Sequence, residues 1–355
     1  MIMLVWRRRS TAGFVKNSEL CAGSLSLLLV SSCVSHPAAE LSRFEFTQPQ
    51  MGLPFRIVLY APDNATAESA ATAAFKRIAQ LNGSLSDYEP DSELSKLSRT
   101  AGQGQAVPVS QDLWKVLDRS QQLARLSNGA FDITVGPVVS LWRKARRERK
   151  LPDPVRLQQA RAAVGYEKLQ LDRRRHTAKL LVPGMRLDLG AIAKGYAVDE
   201  ALAVLQRRGI MRALVSGGGD MAAGAPPPRA KGWRIEIAPL DVSNAPPARF
   251  VLLSHAGLAT SGDVFQNLES DGRRYSHIVD PHTGVGLTDH SLVTVIARDG
   301  ITADSLATAV SVLGPKAGLD LIAKSKGAQA RIVRKPRDNI ESVESPGFQR
   351  FYQPN

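Results

Sequence analysis

Asp304 and Thr308 stand four residues apart in Ala303-Asp-Ser-Leu-Ala-Thr308. That spacing puts both on one face of a helix. A carboxylate and a hydroxyl are hard oxygen donors of the kind Mg²⁺ accepts, with waters and phosphate oxygens completing its shell. Spacing alone favours a plainer role for Asp304 as a helix cap. Lys194 lies in Arg186-Leu-Asp-Leu-Gly-Ala-Ile-Ala-Lys-Gly-Tyr-Ala-Val-Asp199. Here Leu187 and Leu189 alternate with Arg186 and Asp188, which predicts a short strand. Gly190 then permits a sharp turn, and the spacing predicts a helix over 191–208 with Gly209 as its C′ residue. Free N–H groups and the positive end of a helix dipole would face an anion there. Gly190-x4-Gly195 matches half of a phosphate-binding P-loop, but Tyr196-Ala197 stands where Lys-Ser/Thr is required, which excludes that motif. Six histidines occur, and an imidazole has the ordinary pKa to take a proton from a hydroxyl.

These residues need a scaffold. Arg43 to Thr47 and Phe55 to Tyr60 read as strands around a turn at Met51-Gly-Leu-Pro54. Helices are predicted over 65–82, over 109–126 with Ser110 as N-cap, and over a short stretch capped by Asp91 or Ser92. Leu169 to Asp172 and Thr177 to Val182 alternate as a hairpin. Further strands are predicted at 213–216, 233–237, 250–253, 257–261, 275–279, 292–297 and 328–333. Asp280-Pro-His-Thr-Gly284 reads as a turn. Helices over 303–313 and 317–324 flank Gly314-Pro315. Strands and helices without strict alternation indicate an α+β fold, with mixed or antiparallel sheets and flanking helices.

Composition narrows the function class. Of 355 residues, 43% are hydrophobic and 22% charged, which suits a globular protein with a large core. The net charge is +13, concentrated at Arg143-Lys-Ala-Arg-Arg-Glu-Arg-Lys150 and Arg173-Arg-Arg175. No aromatic residues interleave with those charges after Trp142, so nucleic acid is not an expected partner. A solvated basic face is the expected reading. The two cysteines, Cys21 and Cys33, leave the body without a disulfide or thiolate metal site. Residues 1–32 read as a signal peptide: a basic Trp6-Arg-Arg-Arg9, an apolar run from Leu20 to Val30, then Ser31-Ser32. Val30-Ser-Ser-Cys33 resembles a bacterial lipobox. Cys33 is then the lipidated first residue of the mature chain, on the periplasmic side of a membrane. Cleavage near Ala38-Ala39 is the alternative. Residues 33–40 form a tether, 41–345 the folded domain and 346–355 a polar tail.

Several motifs together resemble the ApbE family, the FAD:protein FMN transferases. They are Met51-Gly, Tyr88-Glu-Pro-Asp-Ser-Glu-Leu-Ser95, Gly129-Ala-Phe-Asp-Ile-Thr-Val-Gly-Pro137, the 188–199 stretch, Ser216-Gly-Gly-Gly-Asp220, Thr260-Ser-Gly-Asp263, Tyr275-Ser-His-Ile-Val-Asp-Pro-His-Thr-Gly284 and the Asp304/Thr308 segment. The resemblance covers nearly all of the mature chain. It implies an FAD cleft between two lobes, with contacts at Met51, Tyr88, Ala130, Phe131, Asp132, Asp188, Lys194 and Ile278. It also implies Mg²⁺ held by Asp304, Thr308 and the backbone oxygen of Ala191. Many relatives carry two adjacent histidines where this chain has Ser276-His277, so only His277 is carried over.

The expected activity is Mg²⁺-dependent transfer of FMN from FAD to a threonine or serine hydroxyl of an acceptor protein, with release of AMP. FAD is then a substrate. The acceptor would be a flavoprotein subunit of a membrane redox complex or a periplasmic protein. Catalysis is assigned to His277, Lys194 and Asp280. Two alternatives stand beside it: an FAD pyrophosphatase, and a flavin-binding lipoprotein without chemistry.

Overall fold

Alternation and capping chemistry set most of the elements of this computed structural model, which describes residues 40–240, 249–262, 267–336 and 339–354. Cys33, the signal peptide and Asp263 lie outside them. The strands are β1 (Ser42–Gln50), β2 (Leu53–Ala61), β3 (Val107–Pro108), β4 (Leu169–Asp172), β5 (Thr177–Leu180), β6 (Ala213–Gly217), β7 (Asp220–Ala223), β8 (Trp233–Ile237), β9 (Arg249–Leu253), β10 (Ala256–Gly262), β11 (Asn267–Ser270), β12 (Arg273–Ser276), β13 (Ser291–Ala297), β14 (Gln329–Arg334) and β15 (Glu341–Glu344). The helices are α1 (Asn64–Leu85), α2 (Glu93–Ser98), α3 (Gln111–Leu126), α4 (Gly136–Glu148), α5 (Pro154–Ala162), α6 (Ala193–Arg207) and α7 (Gly300–Lys324).

The main sheet runs β1-β2-β6-β7-β10-β13-β14-β15, and every pairing in it is antiparallel. The α+β expectation is met. β2 shows why both faces are covered. Phe55, Ile57, Leu59 and Ala61 join the large core under the helices, whereas Val58 joins a second cluster on the other face. That second cluster is roofed by the β8–β9 hairpin through Trp233, Ile235 and Val251. All seven residues of β13 are buried, as a central strand with both faces covered requires.

The caps follow their side chains. Asp63, Ser92, Ser110 and Asp153 each accept an N–H at the start of α1, α2, α3 and α5. Gly209 follows α6 with φ +82°, as expected. α7 departs most from expectation. It starts at Gly300, where Asp299 accepts from Thr302 N as the N-cap, and it breaks at Gly314 (φ 71°, ψ −179°) before Pro315. The break is the one expected there, but the first helix is a turn longer. Among the described residues α7 alone is long and apolar enough to cross a membrane. Its apolar face is instead taken up by the main core through Ala303, Leu306, Ala307 and Val310.

Three local expectations are corrected. Residues 186–189 form no strand: Arg186 makes one isolated parallel bridge to Val135, because the facing segment, 129–135, is itself irregular. β12 ends at Ser276, so His277 lies in a bend beyond it. Within the expected polar tail, 346–355, the described residues 346–354 are docked: Phe348 is fully buried in the second cluster and Gln353 N donates to the Phe250 carbonyl at 2.9 Å.

Candidate functional site

Three irregular segments meet at one place. Asp188 N donates to the Ile133 carbonyl at 2.8 Å, which joins the 186–194 loop to the 129–135 loop. His282 joins the 277–284 turn to the same loop. Its Nε2 lies 2.8 Å from the Asn128 carbonyl, and its Nδ1 3.1 Å from Asp280 Oδ1. His282 lies far in sequence from Asn128, so that bond exists only in the folded chain.

The anion site foreseen at the start of α6 is built on Lys194. Its Nζ lies 2.8 Å from Asp220 Oδ2 and 3.5 Å from Asp304 Oδ2, and it donates to the Gly190 carbonyl at 3.2 Å. Burial pushes the ammonium down, but Asp220 and Asp304 outweigh it and hold the group above its ordinary value. Burial, and then Asp304, push Asp220 up to about 7 against the pull of Lys194. Asp220 Oδ2 is buried and makes no hydrogen bond of good angle, although it is ion-paired with Lys194. Asp220 was not among the expected site residues. The glycine run before it was the available signal.

Glycines allow this approach. A Cβ on Gly195 would sit 2.3 Å from the Gly300 carbonyl oxygen and 2.7 Å from Asp304 Cβ. A Cβ on Gly218 would sit 2.6 Å from Leu53 Cδ1 and 3.5 Å from Lys194 Cδ. α6, α7 and the β6–β7 turn therefore close around the lysine only because those positions lack side chains.

Asp304 is not a cap. It lies inside α7, is buried, and its Oδ2 accepts from Gly195 N at 3.0 Å. The cap role belongs to Asp299. Thr308, one turn further along α7, is half-buried, as is Ala191. Among the described residues no three His, Cys, Asp or Glu converge as a metal cluster. A cation here would therefore draw on neutral oxygens and phosphate as well as carboxylates.

The flavin-contact residues spread around the rim. Tyr88 is 72% exposed, and its ring lies 4.3 Å from the Arg143 guanidinium. Asp188 accepts from Gly190 N at 2.8 Å and from Arg143 Nη2 at 2.7 Å. Burial and the neighbouring Asp87 push Asp188 upward, with Arg143 opposing them. Arg143 also donates to Asp87. The expectation of a solvated basic face therefore fails at Arg143, which is a half-buried crosslink of the site. Met51 occupies the β1–β2 turn at φ 49°, half-buried against the main core. Ala130 and Phe131 are buried, and Phe131 is part of that core, so its contact with a ligand would be through the backbone. Asp132 Oδ1 accepts from Thr134 N at 2.8 Å and from its Oγ1 at 2.7 Å, and burial pushes this carboxyl up to about 6.

His277 and Ile278 follow β12 directly. His277 is half-buried and Ile278 is buried. Asp280 was assigned to catalysis with His277. Its carboxylate accepts within its own turn, from His282 N at 2.9 Å and from Thr283 Oγ1 at 3.0 Å. It thereby shapes the turn that carries the histidine.

Known proteins share the sequence pattern and the fold of this chain. The family model described as ApbE family matches residues 51–332. A Haemophilus influenzae protein named FAD:protein FMN transferase is 33% identical over 76% of this chain and 80% of its own length. A Vibrio cholerae protein of the same name is 31% identical over 92% of this chain and 96% of its own. Among solved structures, the flavin transferase ApbE from Vibrio cholerae superposes with a TM-score of 0.80 at 30% identity, covering 88% of this chain and all of that one. The apo form of the Pseudomonas stutzeri flavinyl transferase ApbE gives 0.77 at 30% identity, over 88% of this chain and 97% of that one.

Proposed function

Because the chain belongs to the ApbE family, we propose that it transfers FMN from FAD to a threonine or serine hydroxyl of an acceptor protein. The acceptor oxygen forms a bond to the FMN phosphorus. The bond from that phosphorus to the bridging oxygen of the pyrophosphate breaks, and AMP leaves with that oxygen. The observation that carries this reading is Lys194, a half-buried cation held at the start of α6 between Asp220 and Asp304. Positioning and charge neutralisation are what phosphoryl transfer chiefly requires of a protein.

The roles divide by position. Lys194 meets the charge of the pyrophosphate. Tyr88 offers an exposed ring for stacking, backed by Arg143. Asp188, fixed by Arg143 and Gly190 N, gives the bound FAD a hydrogen-bond acceptor. His277 takes the proton from the acceptor hydroxyl. Asp304, Thr308 and the carbonyl oxygen of Ala191 would hold a Mg²⁺ ion, with the buried Asp220 carboxylate, paired to Lys194, close to Asp304 through that lysine. When bound, the ion supplies electrostatic stabilisation of the phosphate oxygens.

The acceptor in this reading is a flavoprotein subunit of a membrane redox complex or a periplasmic protein. The lipobox-like Val30-Ser-Ser-Cys33 supports anchoring through Cys33 on the periplasmic side of a membrane. One incubation tests the activity: the chain with FAD and Mg²⁺, with and without such a subunit. AMP release that requires the subunit, together with flavin fixed to it, is the expected outcome. Release of FMN and AMP without an acceptor would make the chain a pyrophosphatase, and intact FAD a binder only.

A further inference from the structure

We propose that the basic run on the C-terminal half of α4 is a docking surface for an acidic segment of the acceptor protein. The inference rests on the transfer reaction above and adds what the enzyme reads beside the hydroxyl.

The run is Arg143-Lys-Ala-Arg-Arg-Glu-Arg-Lys150, with six cations and a single acid, Glu148. Two of the cations are accounted for. Arg143 is matched by Asp87 and Asp188, and Lys144 lies 3.7 Å from Glu148. The other four have no carboxylate within ion-pair distance among the described residues. Arg147, Arg149 and Lys150 are exposed, and Arg146 is half-buried with an Nη1 that lacks any hydrogen-bond partner. The dipole of α4 favours cations in its last turn. It gives no reason for four unmatched ones, two of them at or beyond the left-handed Arg149 that ends the helix.

Position gives the surface its role. α4 touches two parts of the site. On one side Arg143 grips Asp188 and backs the exposed Tyr88. On the other, Trp142 Nε1 donates to the Gly284 carbonyl at 2.8 Å, and its ring lies 5.4 Å from that of Tyr275, which holds the turn after His277 against the helix. A chain that presents its hydroxyl to His277 lies beside α4, and its flanking residues meet this unmatched charge. Exposed charges act over about 8 Å at physiological salt. Complementary charge at such a rim contributes chiefly association rate and partner selection. An acidic polypeptide fits better than a nucleic acid, because no aromatic residue stands among the cations to stack on bases.

The test uses the full-length chain and two labelled synthetic peptides. Each carries one threonine, flanked in one by glutamates and in the other by glutamines. Binding is read by fluorescence anisotropy at low and at physiological salt. The wild type is expected to bind the glutamate peptide about tenfold more tightly at low salt, within the range that charge steering spans. Arg147→Glu with Lys150→Glu is expected to remove the preference and leave FAD affinity, read by flavin fluorescence, unchanged. The neutral pair Arg147→Ala with Lys150→Ala is expected to fall between the two. Equal binding of both peptides by the wild type, or a preference intact in the charge-reversed variant, would overturn the proposal. Sedimentation with phosphatidylglycerol vesicles adds a second arm. If the wild type binds them, the reversed variant does not, and the peptides bind equally, the surface meets lipid and the proposal fails. Anisotropy needs no turnover. A chain that selects the acidic peptide but transfers no FMN refutes the transferase reading alone, and an active transferase without peptide preference refutes the docking surface alone.

Discussion

The Arg143 guanidinium donates to Asp188 Oδ2 at 2.7 Å, and through this pair α4 fixes the loop that leads to Lys194. Arg143→Ala would leave the Asp188 and Asp87 carboxylates buried without their cation. Breaking a buried pair from one side costs about 3–5 kcal/mol. Urea unfolding of the variant should show a loss of that order, accompanied by weaker FAD binding. Arg143→Lys should recover only part, because one ammonium cannot reproduce the two-way fork. An unfolding midpoint equal to wild type would refute the crosslink.

His277→Ala should slow transfer by about 10²–10⁴-fold while FAD affinity stays near wild type, since a general base acts mainly in the transition state. FMN incorporation measured alongside flavin binding checks this. A variant that transfers at the normal rate would remove His277 from the chemistry.

Asp304→Ala should abolish transfer with only a modest loss of stability. The carboxylate accepts one buried N–H, from Gly195, and leaving such a donor unpaired costs about 1–3 kcal/mol. Transfer is assayed against Mg²⁺ concentration together with a thermal melt. Near-normal turnover with unchanged Mg²⁺ dependence would mean that Asp304 serves the fold alone.

Asp199, at the α6–α7 junction, is expected to make stability depend on pH. It accepts from Gly300 N at 2.7 Å and from Ile301 N at 2.9 Å, and burial raises its carboxyl to about 7. A raised folded-state value means that the folded form holds the proton more tightly. The associated stability is present below the unfolded pKa of about 3.9 and is lost as pH rises through about 7. Asp199→Asn should therefore flatten the decline of melting temperature between those pH values. A decline as steep as that of the wild type would show that other groups cause it.

Cys33→Ser should release the chain from the membrane fraction. Its motivation is the apolar run that ends in Val30-Ser-Ser-Cys33, with no cysteine after it. Fractionation of cells that express the variant checks it, and a variant processed and retained like wild type would exclude lipidation at Cys33.

Local chemistry was readable in the sequence wherever a side chain acts on its own backbone. Ser110 capping α3, Gly209 ending α6 and Gly314 breaking α7 are cases in which one residue type answers a local backbone demand. The short strand expected at 186–189 failed because alternation reports which face is buried, and an irregular loop alternates as well when it lies between a core and a rim. Arg143 was hidden for the opposite reason. Its sequence neighbours are exposed cations, and its partners Asp87 and Asp188 belong to distant segments. Asp220 stood in plain view after three glycines, but its pairing with Lys194 depends on how β7 meets α6.

The order of the main sheet sets when the site can exist. Lys194 arrives with α6, Asp220 with β7, and Asp304 only with α7, whose helix is held against β10 and β13. Until residue 304 has been made and docked, Lys194 and Asp220 lack the third charge, and the apolar face of α6 lacks the helix that covers it. Contacts between parts so far apart in sequence form slowly. A chain stopped before α7 therefore lacks the Asp304 charge at Lys194, and the lysine site and the core over α6 are completed in the same late step of folding.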